Sequence, residues 1–88
     1  MATLYTTDGK AKIVQPKQGN SFTVDELKGL IGGDFECKAV GPNYMLTDKE
    51  ADNVLPNKVG TDVYQHWYNS NDVIFGTVLL LTMKEMGE

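Results

Sequence analysis

The stretch Asn71-Asp72-Val73-Ile74-Phe75-Gly76-Thr77-Val78-Leu79-Leu80-Leu81 decides the fold, because it is apolar on both sides of an extended strand. Its apolar residues divide between the two faces: Val73, Phe75, Leu79 and Leu81 on one, and Ile74, Val78 and Leu80 on the other. A strand with one face in water would alternate apolar and polar residues, so this pattern predicts a strand covered on both faces. The stretch places the core but indicates no chemistry.

Upstream of it, Asp8-Gly9 lies between two alternating segments and predicts a β-hairpin with a two-residue turn. Such a turn would pair Tyr5 with Lys12 and Leu4 with Ile13. The core-facing side of the hairpin would carry Leu4, Thr6, Ala11 and Ile13. The opposite side would carry Thr3, Tyr5, Thr7, Lys10, Lys12 and Val14.

Helix start and stop signals bracket the next segment. Thr23 with Glu26 three residues later predicts a capping box, and Phe22 can pack on Leu27 across the first turn. Gly32-Gly33 predicts the end of this helix, since the residue after a helix usually adopts a left-handed conformation. The apolar stripe of the helix is predicted to comprise Val24, Leu27, Leu30 and Ile31.

The remaining elements complete an α+β pattern. Residues 35–40 predict a strand with Cys37 on its apolar face, and 44–46 predict a short return strand. Asn57 is expected to cap a second helix, in which Trp67 anchors the core, and 69–71 to end it. The order of elements predicts one domain over residues 1–88, with an N-terminal β-hairpin and a mostly antiparallel sheet packed against two short helices.

Charge and composition limit the classes of partner. The 88 residues include eight lysines, twelve carboxylates and no arginine, for a net charge of −4. Arginine is the usual reader of guanine and phosphate, so its absence argues against sequence-specific nucleic-acid binding. Lysine can still hold a phosphate as a point charge, which keeps a small phosphorylated ligand open. The lack of a signal-peptide pattern or of about 18 consecutive apolar residues predicts a protein that stays in the compartment where it is made, without a membrane partner. The single cysteine, Cys37, fits a reducing cytoplasm.

Catalytic and metal-binding patterns are weak. Cys37 and His66 are the single residues of their types, and Cys37 is interpreted as a small core residue rather than a nucleophile. Asp48, Glu50 and Asp52 alternate, but the glycine and distal glutamate of a calcium loop are missing, so a solvated acidic turn is favoured. The segment Thr47-Asp48-Lys49-Glu50 also offers a capping box for one helical turn or a loop. We therefore predict no catalytic residue, no metal and no cofactor.

Two sets of residues are candidates for binding. The polar hairpin side offers a ring, two ammonium groups and hydroxyls that would suit a nucleotide-sized anion, which makes Thr3, Tyr5, Thr7, Lys10 and Lys12 the predicted ligand residues. Alternatively, its lysines only protect a sheet edge from aggregation. At the end of the second helix, Tyr64, His66 and Tyr68 are predicted interface residues, because exposed aromatic side chains often mark interfaces. Alternatively, they cover a thin core.

Several short motifs follow one another along the chain: 22–27 (Phe-Thr-Val-Asp-Glu-Leu), 30–33 with 35–36, Leu55-Pro56-Asn57, and 71–76. Together they resemble a small family of phage and bacterial mobile-element proteins known as domain of unknown function family 3846. Two positions differ: Asp34 replaces an aromatic residue after the paired glycines, and 47–50 replaces an Asn-Glu turn. The resemblance implies a phage or mobile-element accessory protein and no activity.

These observations favour a non-catalytic protein that acts by stoichiometric binding. One hypothesis is counter-defence by sequestering a small anionic, nucleotide-type ligand. The alternative is a protein–protein inhibitor that docks an acidic and aromatic surface on a host defence protein. A chain of 88 residues buries only about 60–65% of its unfolded surface, so we also expect a homo-oligomer.

Overall fold

Seven elements follow one another in the computed structural model, which describes residues 2–17, 19–49 and 55–87. The strands are β1 (Ala2–Tyr5), β2 (Ala11–Val14), β3 (Phe35–Val40), β4 (Asn43–Asp48) and β5 (Val78–Thr82). The helices are α1 (Val24–Ile31) and α2 (Lys58–Tyr68). The predicted order of elements and the α+β class are confirmed.

The five strands form one antiparallel sheet in the order β2-β1-β5-β4-β3, so β5 lies between the β1–β2 and β3–β4 hairpins. On one face, α1 packs over Leu79 and Leu81 together with Leu46. On the other face, α2 packs over Val78 and Met45. The predicted burial of both faces is therefore confirmed for the second half of the opening stretch.

The first half of that stretch is not part of the strand. Gly76 has a φ of +82°, and between residues 71 and 77 a single isolated bridge joins Phe75 to Pro56. Ile74 is buried, whereas Val73 and Phe75 are exposed. The prediction of one strand from 71 to 81 is wrong because the left-handed residue Gly76 interrupts the extended backbone.

The predicted hairpin register is wrong by one residue. Tyr5 pairs with Ala11 and Leu4 with Lys12, around a three-residue turn closed by the Gly9 N–H donating to the Thr6 carbonyl at 3.1 Å. Asp8 accepts from the Thr6 hydroxyl and from the Lys10 N–H, which favours this wider turn. The shift exchanges the faces of β2, so Val14 packs on the core while Ile13 is exposed.

Helix α1 begins and ends as predicted. Thr23 and Glu26 form both hydrogen bonds of a capping box, and Gly32 ends the helix with a φ of +100°. Leu27 and Ile31 are buried, but Val24, at the start of the predicted stripe, is exposed.

Helix α2 begins at the predicted cap, Asn57, whose side chain is fully buried. Its Oδ1 accepts from the Gly60 N–H at 3.0 Å, while its Nδ2 donates to the carbonyls of Tyr5 and Gly76, both at 2.9 Å. One side chain therefore joins the start of α2 to the end of β1 and to the segment that leads into β5. The helix ends at Asn69 in a left-handed conformation, within the predicted 69–71.

Three other predictions are wrong. Cys37 is exposed because β3 is an edge strand and α1 packs on β4 and β5. Trp67 is 51% exposed because Val63 and Tyr64 provide the packing of α2 on the sheet. Thr47 and Asp48 belong to β4 and do not cap a helix. Glu50 and Asp52 of the predicted acidic turn lie outside the described residues.

A second capping box, absent from the sequence predictions, holds the C-terminal turn. Glu85 Oε1 accepts from the Thr82 N–H and hydroxyl, and the Glu85 N–H donates back to the Thr82 hydroxyl. The Glu85 carbonyl accepts from the Phe22 N–H at 2.8 Å, which ties this turn to the entrance of α1.

Both capping-box carboxylates have a lowered pKa. The N–H groups of Lys17 and Thr23 hold the pKa of Glu26 below its ordinary value of 4.5. Burial raises the pKa of Glu85, but hydrogen bonds, including those from Thr82, lower it, so that the pKa lies below 4.5. A pKa that is lower in the folded state contributes stability above about pH 4.5, which is lost as the pH falls through the lowered value.

We therefore expect the urea midpoint of the wild type to fall steeply below about pH 4.5. The double variant Glu26→Gln/Glu85→Gln should be less stable at pH 7 and should show a shallower fall, measured by circular dichroism. A double variant that loses stability with the same pH slope as the wild type would contradict this origin of the acid sensitivity.

Candidate functional site

The predicted ligand residues do not share one face of the hairpin. Lys12 lies beside Leu4 on the α1 face, whereas Thr3 and Tyr5 lie on the α2 face. Thr7 is in the turn, and the exposed Lys10 ammonium lies 4.0 Å from the Asp8 carboxylate. The one-residue register shift thus separates the predicted ring from Lys12.

Thr3 and Tyr5 instead line a small depression of about 210 Å³ on the α2 face, where α2 leaves part of the sheet uncovered. Its other lining residues are Asn43, Leu80, Leu81 and Thr82. No lysine is among the residues described there, so this depression lacks the positive charge that an anionic ligand would need.

A larger cavity, of about 470 Å³, lies on the α1 side between β2 and α1 and is called the β2–α1 groove below. Its apolar part comprises Ile13, Val14, Phe22 and Leu30, together with Gly29. Its polar part comprises Lys12, Gln15, Lys17, Asp25 and Glu26. The groove therefore combines an apolar floor with charged groups from two separate segments.

The charges of the groove are not equally available. The Glu26 carboxylate accepts from the Lys17 N–H at 3.0 Å and from the Thr23 N–H at 3.1 Å, so it is held against the main chain. Lys12, Lys17 and Asp25 are exposed. Because Glu26 keeps its charge, two ammonium groups and two carboxylates line the groove. An anionic group is attracted where it reaches the exposed ends of Lys12 and Lys17, with an apolar body on the floor beside them.

Gly29 keeps the groove open along α1. A Cβ placed at this helical position would meet no atom within 4 Å. Glycine destabilises a helix interior by about 1 kcal/mol relative to alanine, so its presence is costly to α1. The space above Gly29 therefore belongs to the groove and is available to a ligand.

The predicted interface residues lie at the end of α2. Tyr64 stacks on Tyr68 with ring centroids 4.7 Å apart, and His66 meets Trp67 edge-on at 5.3 Å. The Tyr68 hydroxyl donates to the Ala39 carbonyl of β3. Trp67 covers Gly41, where a Cβ would lie 2.5 Å from the indole ring. We call Tyr64, His66, Trp67 and Tyr68 the aromatic cluster; three of them are exposed and Tyr64 is half-buried.

The described part of the chain holds neither a cluster of metal ligands nor a helix that could cross a membrane. Within residues 2–17, 19–49 and 55–87, no group of three or more His, Cys, Asp or Glu side chains is placed to hold a metal ion. In the same ranges, no helix has the length and apolar character needed to cross a membrane.

Sequence reasoning missed most of the groove because β2 and α1 meet only in the folded chain. Lys12 belongs to the predicted ligand residues of a different surface and Leu30 to the predicted apolar stripe of α1, whereas Lys17 and Gly29 carry no predicted binding role. One signal was present: a glycine inside a helix whose stripe continues to Leu30 indicates either a close approach or an open space.

No family model, curated protein or solved structure matches the chain. The resemblance to domain of unknown function family 3846 stays a prediction.

Proposed function

We propose that the protein binds a small anionic molecule stoichiometrically in the β2–α1 groove, without catalysis. The observation that carries this proposal is the groove of about 470 Å³, in which Lys12 and Lys17 stand over an apolar floor. Ligand pockets typically have volumes of about 300–1,000 Å³, with a mainly apolar lining and few polar groups. The ligand is of the nucleotide type: its flat base packs on Val14 and Leu30, and its phosphate pairs with the lysines.

Apolar packing and charge pairing would each contribute to binding in the groove. Val14 and Leu30 are both half-buried, so a ligand that covers them removes their remaining apolar surface from water. Lys12 and Lys17 are exposed, so their attraction to a phosphate is screened by salt. We therefore expect an affinity that falls with ionic strength but keeps an apolar contribution at high salt.

The biological setting rests on the motifs quoted from the sequence. Their resemblance to phage and mobile-element proteins supports an accessory role in a bacterial host cell. In that setting, a stoichiometric binder of nucleotide-type molecules would act in counter-defence by lowering the free concentration of an immune signal. The proposal needs no reaction, because sequestration alone removes the ligand.

The lysine variants test the groove directly. Lys12→Glu/Lys17→Glu should weaken binding by about tenfold or more, since it replaces two attractive charges by repulsive ones. Lys10→Glu is the matched control: Lys10 lies in the hairpin turn and does not line the groove, so binding should change less than about twofold. Calorimetric titration with nucleoside monophosphates and cyclic dinucleotides gives the affinities.

Equal loss of affinity in the control and in the double variant would place the ligand elsewhere. The dye 8-anilinonaphthalene-1-sulfonate serves as a further probe, because it also joins an anionic group to a flat apolar body. Circular dichroism of each variant separates a lost site from a lost fold.

A second candidate function is docking on a host protein. The exposed Trp67 and Tyr68, with His66 beside them, provide the residue types that dominate binding energies at protein interfaces. Trp67→Ala should abolish binding to a purified host partner while leaving nucleotide binding unchanged. If Trp67→Ala retains full affinity for that partner, the aromatic cluster is not the docking surface.

A further inference from the structure

The strand β3 forms one edge of the sheet, with β4 on one side and no strand of the described residues on the other. Just before it, the Lys49 N–H donates to the Asp34 carbonyl at 3.0 Å. Hydrogen-bonded and non-hydrogen-bonded pairs alternate along an antiparallel ladder, so Glu36 and Lys38 direct their main-chain groups toward β4. The residues that direct theirs outward are Phe35, Cys37 and Ala39.

The charges on β3 are self-complementary. Glu36 and Lys38 lie two residues apart on the α2 face, with the Lys38 ammonium 3.2 Å from the Glu36 carboxylate. An antiparallel copy of β3 can pair with this edge only in registers that oppose the outward residues. The register centred on Cys37 places Glu36 opposite the partner's Lys38. The register centred on Lys38 would oppose two Lys38 residues. The register centred on Glu36 would oppose two Glu36 residues and place Lys38 opposite Asp34, but the Asp34 carboxylate is already 3.3 Å from the Lys28 ammonium.

We propose that a second copy of this chain pairs with β3 in the register centred on Cys37 and extends the sheet across a two-fold axis. Each Glu36 then lies between its own Lys38 and the partner's Lys38, in a ring of four alternating charges. Opposite charges across antiparallel strands stabilise the pair and like charges destabilise it, so the charges select this register. A two-fold interface of this kind is closed and makes a dimer.

Contacts beside the edge are compatible with this pairing. The Tyr68 hydroxyl donates to the Ala39 carbonyl, one of the outward groups, but a carbonyl oxygen has two lone pairs and can accept a second hydrogen bond. Tyr68 itself is 45% exposed and lies at the seam between the two copies. In the proposed dimer, Tyr68 would therefore act as an interface residue, as predicted, and its partner would be the second copy of the chain.

The dimer and the ligand site are independent. The β2–α1 groove lies at the β2 edge of the sheet, whereas the proposed interface lies at the opposite β3 edge. The pairing therefore leaves both grooves open. If the groove binds no ligand, the proposed dimer is not contradicted. If the protein is monomeric, ligand binding in the groove is still tested by the titrations of the lysine variants.

Two variants with reversed charges, studied separately and as a mixture, test the proposed interface. Native mass spectrometry and sedimentation velocity should show a dimer for the wild type at micromolar concentration. Glu36→Lys alone and Lys38→Glu alone should each be monomeric, because each homodimer would oppose like charges. An equimolar mixture of the two variants should form the heterodimer, since position 36 of each then opposes an unlike charge at position 38 of the other.

The mixing step also shows that both variants are folded. A monomeric wild type would overturn the proposal, and so would single variants that dimerise as well as the wild type. A short bis-thiol-reactive crosslinker adds a test of the register, because paired antiparallel Cα atoms lie only about 5.5 Å apart. It should join Cys37 to the partner's Cys37 in the wild-type dimer, with Cys37→Ser as the control. A wild-type dimer that does not crosslink would place the interface elsewhere.

Discussion

Replacing Asn57 with alanine is expected to lower the free energy of unfolding by about 3–7 kcal/mol. The fully buried side chain accepts one N–H and donates to two carbonyls. Loss of the helix cap costs about 1 kcal/mol, and each buried carbonyl left without its donor costs about 1–3 kcal/mol. The total free energy of unfolding of a small domain is about 5–15 kcal/mol, so this loss is a large fraction of it and a part of the variant population would be unfolded.

Urea denaturation at pH 7 measures the effect. Thr23→Ala is the matched control, because Thr23 caps α1 at an exposed position and forms one capping hydrogen bond through its side chain. Its loss should cost only about 1 kcal/mol. If the two caps prove equally costly, Asn57 does not link α2 to the sheet as its hydrogen bonds indicate.

Leu79→Ala is expected to lower the free energy of unfolding by about 3–5 kcal/mol. Leu79 is fully buried in the central strand β5 and packs among Leu27, Ile31 and Leu46 beneath α1. Truncation removes buried apolar surface and leaves a cavity that neighbouring strands on both sides prevent from closing.

Leu80→Ala is the matched control for Leu79→Ala. Leu80 is next along the same strand but points to the α2 face, where it is only half-buried. Its truncation should cost about 1–2 kcal/mol, less than half the cost at Leu79. Urea or thermal denaturation of both variants gives the values, and a larger loss at Leu80 would contradict the assignment of the two faces.

The features that could be predicted from the sequence are local ones. The cap at Thr23 and the stop at Gly32 each depend on hydrogen bonds within about four residues, which sequence spacing encodes directly. The same Thr-x-x-Glu spacing is present at Thr82 and Glu85, directly after the apolar stretch, so this second capping box is also encoded locally. The burial of β5 on both faces followed from composition alone.

The features that could not be predicted depend on competition between alternatives or on distant partners. Asp8 favours a three-residue turn over the shorter one through its own side-chain hydrogen bonds, and one extra residue reverses the faces of β2. Trp67 has the right spacing to face the core, but Tyr64 and Val63 occupy that place. The groove requires β2 and α1 to meet, which spacing does not encode.

The motifs that carry the resemblance have structural roles where the structure describes them. Those around residues 22–33 cap and end α1. The Leu55-Pro56-Asn57 motif contacts the 71–76 motif through the Pro56–Phe75 bridge, the Gly76 N–H to the Leu55 carbonyl, and the Asn57 hydrogen bonds. The groove residues Lys12, Lys17 and Gly29 lie outside all of these motifs.

Gly29→Leu tests the central claim most directly, because it extends a side chain into the β2–α1 groove from a position where an added Cβ meets no atom within 4 Å. Leucine is also the better helix former, so the fold should be retained or stabilised by up to about 1 kcal/mol. The measurement is native mass spectrometry of wild type and Gly29→Leu after incubation with nucleotides and small-molecule extract of infected cells. We expect a retained ligand mass on the wild type and none on the variant; the same mass on both proteins, or none on the wild type, would contradict a ligand site in the groove.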